Sequence, residues 1–168
     1  MNRIRILGVD TSLRSSGVAV VEVSGHQMRA LVYGRVHNKA SLSHSGCLAE
    51  IHRQIDALIT EFSPDEAAIE GSFFAKNAKT AMILGQARGV VLSACALRNL
   101  PVYEYSPRSI KQATVGAGAA SKDQVAKMVK HLLGLEEQPQ EDAADALATA
   151  ICHVHQRGLP EALRSKPV

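Results

Sequence analysis

Four carboxylates stand where they could act together. Asp10 closes the apolar run Ile4-Arg5-Ile6-Leu7-Gly8-Val9, and Glu70 closes a shorter one, Ala67-Ala68-Ile69. Asp142 and Asp145 are three apart in an alanine-rich stretch, so on a helix they share one face. Each acid has an ordinary use. An Asp after a strand caps a turn, and acids in a first helical turn complement the helix dipole. Two strands that both stop on an acid, if parallel neighbours, instead place two carboxylates side by side at one sheet edge, where open α/β sheets bind their ligands. Four carboxylates in one cleft cannot all stay ionised without a cation. Oxygen-only ligands select Mg²⁺ or Mn²⁺ over zinc. Two such ions about 4 Å apart suit an in-line displacement at a phosphodiester. The chemistry indicated is nuclease or phosphoryl transfer.

The elements that must hold these acids can be read from period and punctuation. The run ending at Asp10 suits a strand buried on both faces. A turn follows, then Val18 to Val23, a short Ser24-Gly25-His26-Gln27 turn, and a third strand from Met28 to His37. Short connections make these three an antiparallel meander. From Cys47 the spacing of Leu48, Ile51, Ile55, Leu58, Ile59 and Phe62 predicts a helix that Ser63-Pro64 ends. The strand ending at Glu70 is entered through that crossover helix and should lie parallel to the first strand. Ala78 to Asn99 reads as one long helix with few charges, exposing Gly85 and Gly89 among small residues. One face packs on the sheet, and the face left wet predicts a symmetric dimer. Pro101 to Tyr105 is a fifth strand. Ser106-Pro107 and Ser121-Lys122-Asp123-Gln124 cap two further helices, and the acids at 142 and 145 open the last one. The fold class is α/β, a five-stranded mixed sheet flanked by helices. Residues 1–158 are expected to form a single domain, with 159–168 as a flexible tail.

Composition bounds the rest. With 168 residues, 46% apolar and 21% charged, the chain is globular. No stretch of about 18 apolar residues is free of charge, so no membrane span is expected. Three widely separated cysteines without a Cys-x-x-Cys pair make zinc and a redox dithiol unexpected and point to a reduced, cytoplasmic setting. Between Gly71 and Leu135 nine Lys or Arg face two acids, while the remainder of the chain is net acidic. That asymmetry suits a polyanion.

The order of strands and acids resembles the RNase H-like nuclease superfamily, and within it the RuvC Holliday-junction resolvases. The residues that carry the resemblance are Ile69-Glu70, Phe73-Phe74-Ala75-Lys76-Asn77, Gly85-Gln86-Ala87-Arg88-Gly89, Glu104-Tyr105-Ser106-Pro107-Arg108-Ser109-Ile110-Lys111-Gln112, Val115-Gly116-x-Gly118 and Asp142-Ala143-Ala144-Asp145-Ala146-Leu147-Ala148. It implies a homodimer that makes paired, Mg²⁺-dependent incisions across a four-way DNA junction, in recombination and DNA repair, leaving ligatable nicks. Two ions per site are implied, with Mn²⁺ as a substitute. A junction-binding protein and a branch-migration motor are the implied protein partners. Asp10, Glu70, Asp142 and Asp145 take the place of metal-binding catalytic acids, with Lys111 and Lys122 near the scissile phosphate. Phe73 takes the place of an aromatic that stacks on a base at the junction centre. Phe74, Lys76, Lys79, Arg88 and Arg108 complete the implied DNA-contacting set.

The chain departs from the family pattern in three places. Thr11-Ser12 stands where Pro-Gly is usual, Gly71 where a Gln, Glu or Lys follows the second acid, and Gly46-Cys47 where Arg-Leu is common. Two rival readings share the topology: an RNase H-like nuclease acting on ribosomal RNA precursors, and an actin-like ATP-binding domain. The second would need a further phosphate-binding hairpin in a duplicated domain.

Overall fold

The computed structural model describes residues 3–71 and 75–168. Strands β1 (Arg3–Asp10), β2 (Ser15–Ser24) and β3 (Gln27–His37) form the meander. Helix α1 (His44–Phe62) crosses to β4 (Glu66–Glu70), and α2 (Ala78–Leu97) to β5 (Val102–Tyr105). Helices α3 (Pro107–Val115), α4 (Lys122–Leu133) and α5 (Glu141–Arg157) follow, with a 3-10 turn at Glu161–Leu163. The sheet order is β3-β2-β1-β4-β5, with β4 parallel to β1 and β5 parallel to β4. This is the RNase H-like mixed sheet expected, three antiparallel strands followed by two parallel ones.

Successive side chains on a strand point to opposite faces, so the sheet separates two cores. Leu7 and Val9 pack with Ile51, Ile55 and Val91 beneath α1 and α2. Ile6, Ala68 and Tyr105 pack with Leu147 and Ile151 of α5 on the other face. By the same alternation Asp10 and Glu70 fall on the α5 face.

Element ends differ slightly from the sequence reading, for local reasons. Helix α1 begins at His44 and not Cys47, because the Ser43 side chain accepts from the Gly46 N–H. It ends at Ser63, which takes a left-handed conformation at φ 46°. Helix α2 stops at Leu97 rather than Asn99, and Asn99 has φ 55°. The expected caps on α3 and α4 are present, Ser121 and Gln124 forming a reciprocal capping box.

Helix α2 is long and apolar enough by length and composition alone to cross a membrane, although it carries the charges of Lys79 and Arg88. Its buried residues Ala87, Val91, Ala94 and Cys95 nonetheless pack on the sheet side. Met82 and Leu97 on its outer side are 66% and 72% exposed. At the chain's end, the Val168 N–H donates to the Val102 carbonyl at 2.8 Å.

Candidate active site

The site begins with strand register. Val9 lies opposite Ile69 in the parallel β1–β4 pair, so Asp10 and Glu70 finish side by side. The first turn of α5 reaches this edge because two backbones under it carry no side chain. A Cβ on Gly17 would collide with the Asp142 carbonyl, and one on Gly8 with the Ala146 carbonyl. Gly17 is also the register partner of Asp10 across the hairpin. Buried Ala146 and Ala150 form the other half of the contact. The alanines around the last acid pair therefore report close approach to the sheet, and Asp142 and Asp145 arrive beside Asp10 and Glu70.

The electrostatics follow from this crowding. Burial, then the charges of Glu70, Asp145 and Asp142, push Asp10 up to about 8 against the opposing pull of Lys122. Burial and Asp145 raise Glu70, with Lys122 and Lys111 opposing. Burial also raises Asp145, partly offset by Lys122. Among the described residues no three acids, histidines or cysteines close on one point as a preformed metal site. The donor set is nevertheless all carboxylate oxygen, its members hold one another's protons on, and a hard divalent cation relieves that pattern of charge. The residues fit such an ion. A cleft of about 150 Å³ opens beside the first pair, lined by Asp10, Thr11, Glu70, Gly85 and Arg88 among others.

The basic residues are placed less uniformly. The Lys122 ammonium lies 3.6 Å from Asp145 and also pairs with Glu141. Lys111 is half-buried, and its charge is felt at Glu70. Lys76, Lys79 and Arg108 are exposed. Arg88 borders the cleft but is half-buried and paired with Glu104, so it enters any DNA contact already engaged. Phe73 and Phe74 lie outside the described residues.

Several participants were not singled out in the sequence. The Ser15 hydroxyl donates to Asp142 Oδ2 at 2.5 Å and orients that carboxylate. Its residue type is common in turns, so only the tertiary contact distinguishes it. Glu141 competes for Lys122. Gly8 and Gly17 had a readable signal, since they fall on the same face as Asp10 by period two. Farther down α5, buried His153 bridges Tyr105 (2.7 Å) and Glu66 (2.6 Å), and Arg157 pairs with the same glutamate. Burial lowers the His153 pKa, so a neutral ring bolts α5 to β4 and β5. Gly71 also acquires a reason. A Cβ there would meet Glu104 Oε1 at 2.6 Å, so the Glu104 side chain occupies the space a larger residue would need.

A family model described as crossover junction endodeoxyribonuclease RuvC matches residues 6–153. A protein of that name from Idiomarina loihiensis is 49% identical over 154 residues, covering 89% of this chain and 86% of its own. Its counterpart from Moorella thermoacetica is 48% identical over 149 residues, covering 88% and 89%. Among solved structures, Thermus thermophilus RuvC in complex with a Holliday junction substrate superposes with a TM-score of 0.90 at 32% identity, covering 98% of this chain and 99% of that one.

Proposed function

The chain belongs to the RuvC family of crossover junction endodeoxyribonucleases, and on that footing we propose that Asp10, Glu70, Asp142 and Asp145 hold two Mg²⁺ ions for cutting a four-way DNA junction. It is a Holliday-junction resolvase, an endonuclease of recombination and DNA repair in a metal-dependent family. The rival readings, a ribosomal RNA nuclease and an ATP-binding domain, fall away with that membership. The observation that carries the four-acid assignment is the register of β1 and β4 together with the seating of α5 on Gly8 and Gly17.

When bound, the ions supply positive charge to the attacking water and the departing oxygen of the phosphodiester, Mn²⁺ serving in place of Mg²⁺. The chain's own residues do the rest. The four carboxylates hold their positions against mutual repulsion, and Ser15 fixes the orientation of Asp142. Lys111 and Lys122 draw the scissile phosphate toward the acids. Phe73 stacks on a base at the junction centre, and Phe74, Lys76, Lys79, Arg88 and Arg108 extend the DNA-contacting surface. Two copies join through the bare outer side of α2, which sets two sites on one junction. A junction-binding protein and a branch-migration motor act with the dimer in the cytoplasm.

One gel series tests this. A labelled four-way junction, a linear duplex and a structured RNA are incubated with the parent, Asp142→Asn and Asp145→Asn, with and without Mg²⁺. Paired nicks are expected only in the junction, only with Mg²⁺, and only from the parent. The variants should still shift the junction, because binding rests on the basic surface. Parental cutting by either variant would overturn the assignment.

A further inference from the structure

Among the described residues, two buried side-chain polar atoms lack a hydrogen-bond partner: Thr11 Oγ1 and Asn38 Oδ1. The Asn38 amide already donates to the carbonyls of Leu13 and Cys47, so that side chain is anchored. The hydroxyl of Thr11 has no partner among the described residues. A buried hydroxyl without a partner costs enough stability that native folds rarely keep one without use. Thr11 directly follows Asp10 and lines the cleft shared with Glu70. The turn it begins is braced independently of it, because Ser16 Oγ accepts from the Ser12 N–H at 3.0 Å and donates to the Ser12 carbonyl. The hydroxyl is therefore not needed to hold the turn.

We infer that Thr11 is a further positioning residue of the metal site, its hydroxyl oxygen accepting a hydrogen bond from a water of the hydrated divalent ion held beside Asp10. The inference rests on the four-acid reading above. Rotation about the Cα–Cβ bond moves a threonine hydroxyl between staggered positions. A hydrated dication offers polarised waters that need acceptors and fixed neighbours. A hydroxyl oxygen is such an acceptor, and unlike a carboxylate it is neutral. It contributes orientation without adding charge to a cluster already too negative.

The test uses the full-length protein and Mg²⁺ alone, without DNA. Thr11→Val keeps the shape and removes the hydroxyl; Thr11→Ser keeps the hydroxyl. Thermal melts and calorimetric Mg²⁺ titrations are run on both and on the parent. Without metal, Thr11→Val should melt about 2–4 °C higher, since an unpartnered polar group is replaced by a methyl. Its Mg²⁺ dissociation constant should rise roughly three- to tenfold, and its Mg²⁺-induced gain in Tm should shrink. Thr11→Ser should keep the parental Mg²⁺ response. A lower metal-free Tm in Thr11→Val would mean that the hydroxyl has a protein partner, and that overturns the inference. So does an unchanged Mg²⁺ constant in a variant whose parent binds normally. A parent that shows no Mg²⁺ response brings down the four-acid reading itself, and this inference with it.

Discussion

Asp10 keeps its proton into the neutral range because the fold buries it among three other carboxylates. That makes a linkage prediction for the metal-free protein. A carboxyl whose folded pKa is raised from 3.8 to about 8 binds more protons folded than unfolded throughout that window. Stability then falls as pH rises from about 4 to about 8, with Glu70 and Asp145 acting in the same direction. Asp10→Asn cannot ionise, so its Tm should decline less over that range and exceed the parent's at neutral pH. Its gain on adding Mg²⁺ should shrink. Melts across pH, with and without Mg²⁺, measure both. A parent whose metal-free Tm climbs from pH 4 to 8 would contradict the crowding.

At the scale of elements, function depends on how closely α5 approaches the sheet. The two bare backbones at Gly8 and Gly17 set the depth, and the His153 bridge to Tyr105 and Glu66 sets the position along the axis. Gly17→Ala tests the first. Its Cβ has no room beneath the Asp142 carbonyl, so the first turn of α5 must lift. Stability should fall by about 1–3 kcal/mol, as overpacking does. Cleavage should fall more severely, about a hundredfold, because a displacement near 1 Å is enough to spoil a reacting geometry. Junction binding should hold. A cleavage rate that follows stability alone, with no separate loss, would show that the depth of α5 is not critical.

At the scale of the molecule, the outer side of α2 is an exposed apolar surface. Met82 and Leu97 are largely exposed there, and a Cβ on Gly85 or Gly89 would meet nothing within 4 Å. Gly85 also lines the active-site cleft, so Gly89→Arg is the cleaner test, its added Cβ meeting nothing within the protomer. Gly89→Arg should leave the protomer folded, shift sedimentation from dimer to monomer, and uncouple the two incisions. A variant that sediments as a dimer and resolves junctions at the parental rate would move the interface to another surface.

The sequence by itself determined the order of strands, the crossover at α1 and the two acids at strand ends. Those depend on local period and on the parity of side chains along a strand, which are written in consecutive residues. It also marked Asp142 and Asp145 as a pair, because helix geometry puts residues three apart on one face. The tertiary structure decided what no local pattern could. It showed that Gly8 and Gly17 admit α5, that Ser15 takes hold of Asp142 across 127 positions, and that Glu104 occupies the space beside Gly71. Each of these is a contact between distant parts of the chain, set by how deeply two elements pack. The same packing leaves Thr11 with a buried hydroxyl and no partner among the described residues, a fact that exists only once the walls around it are in place.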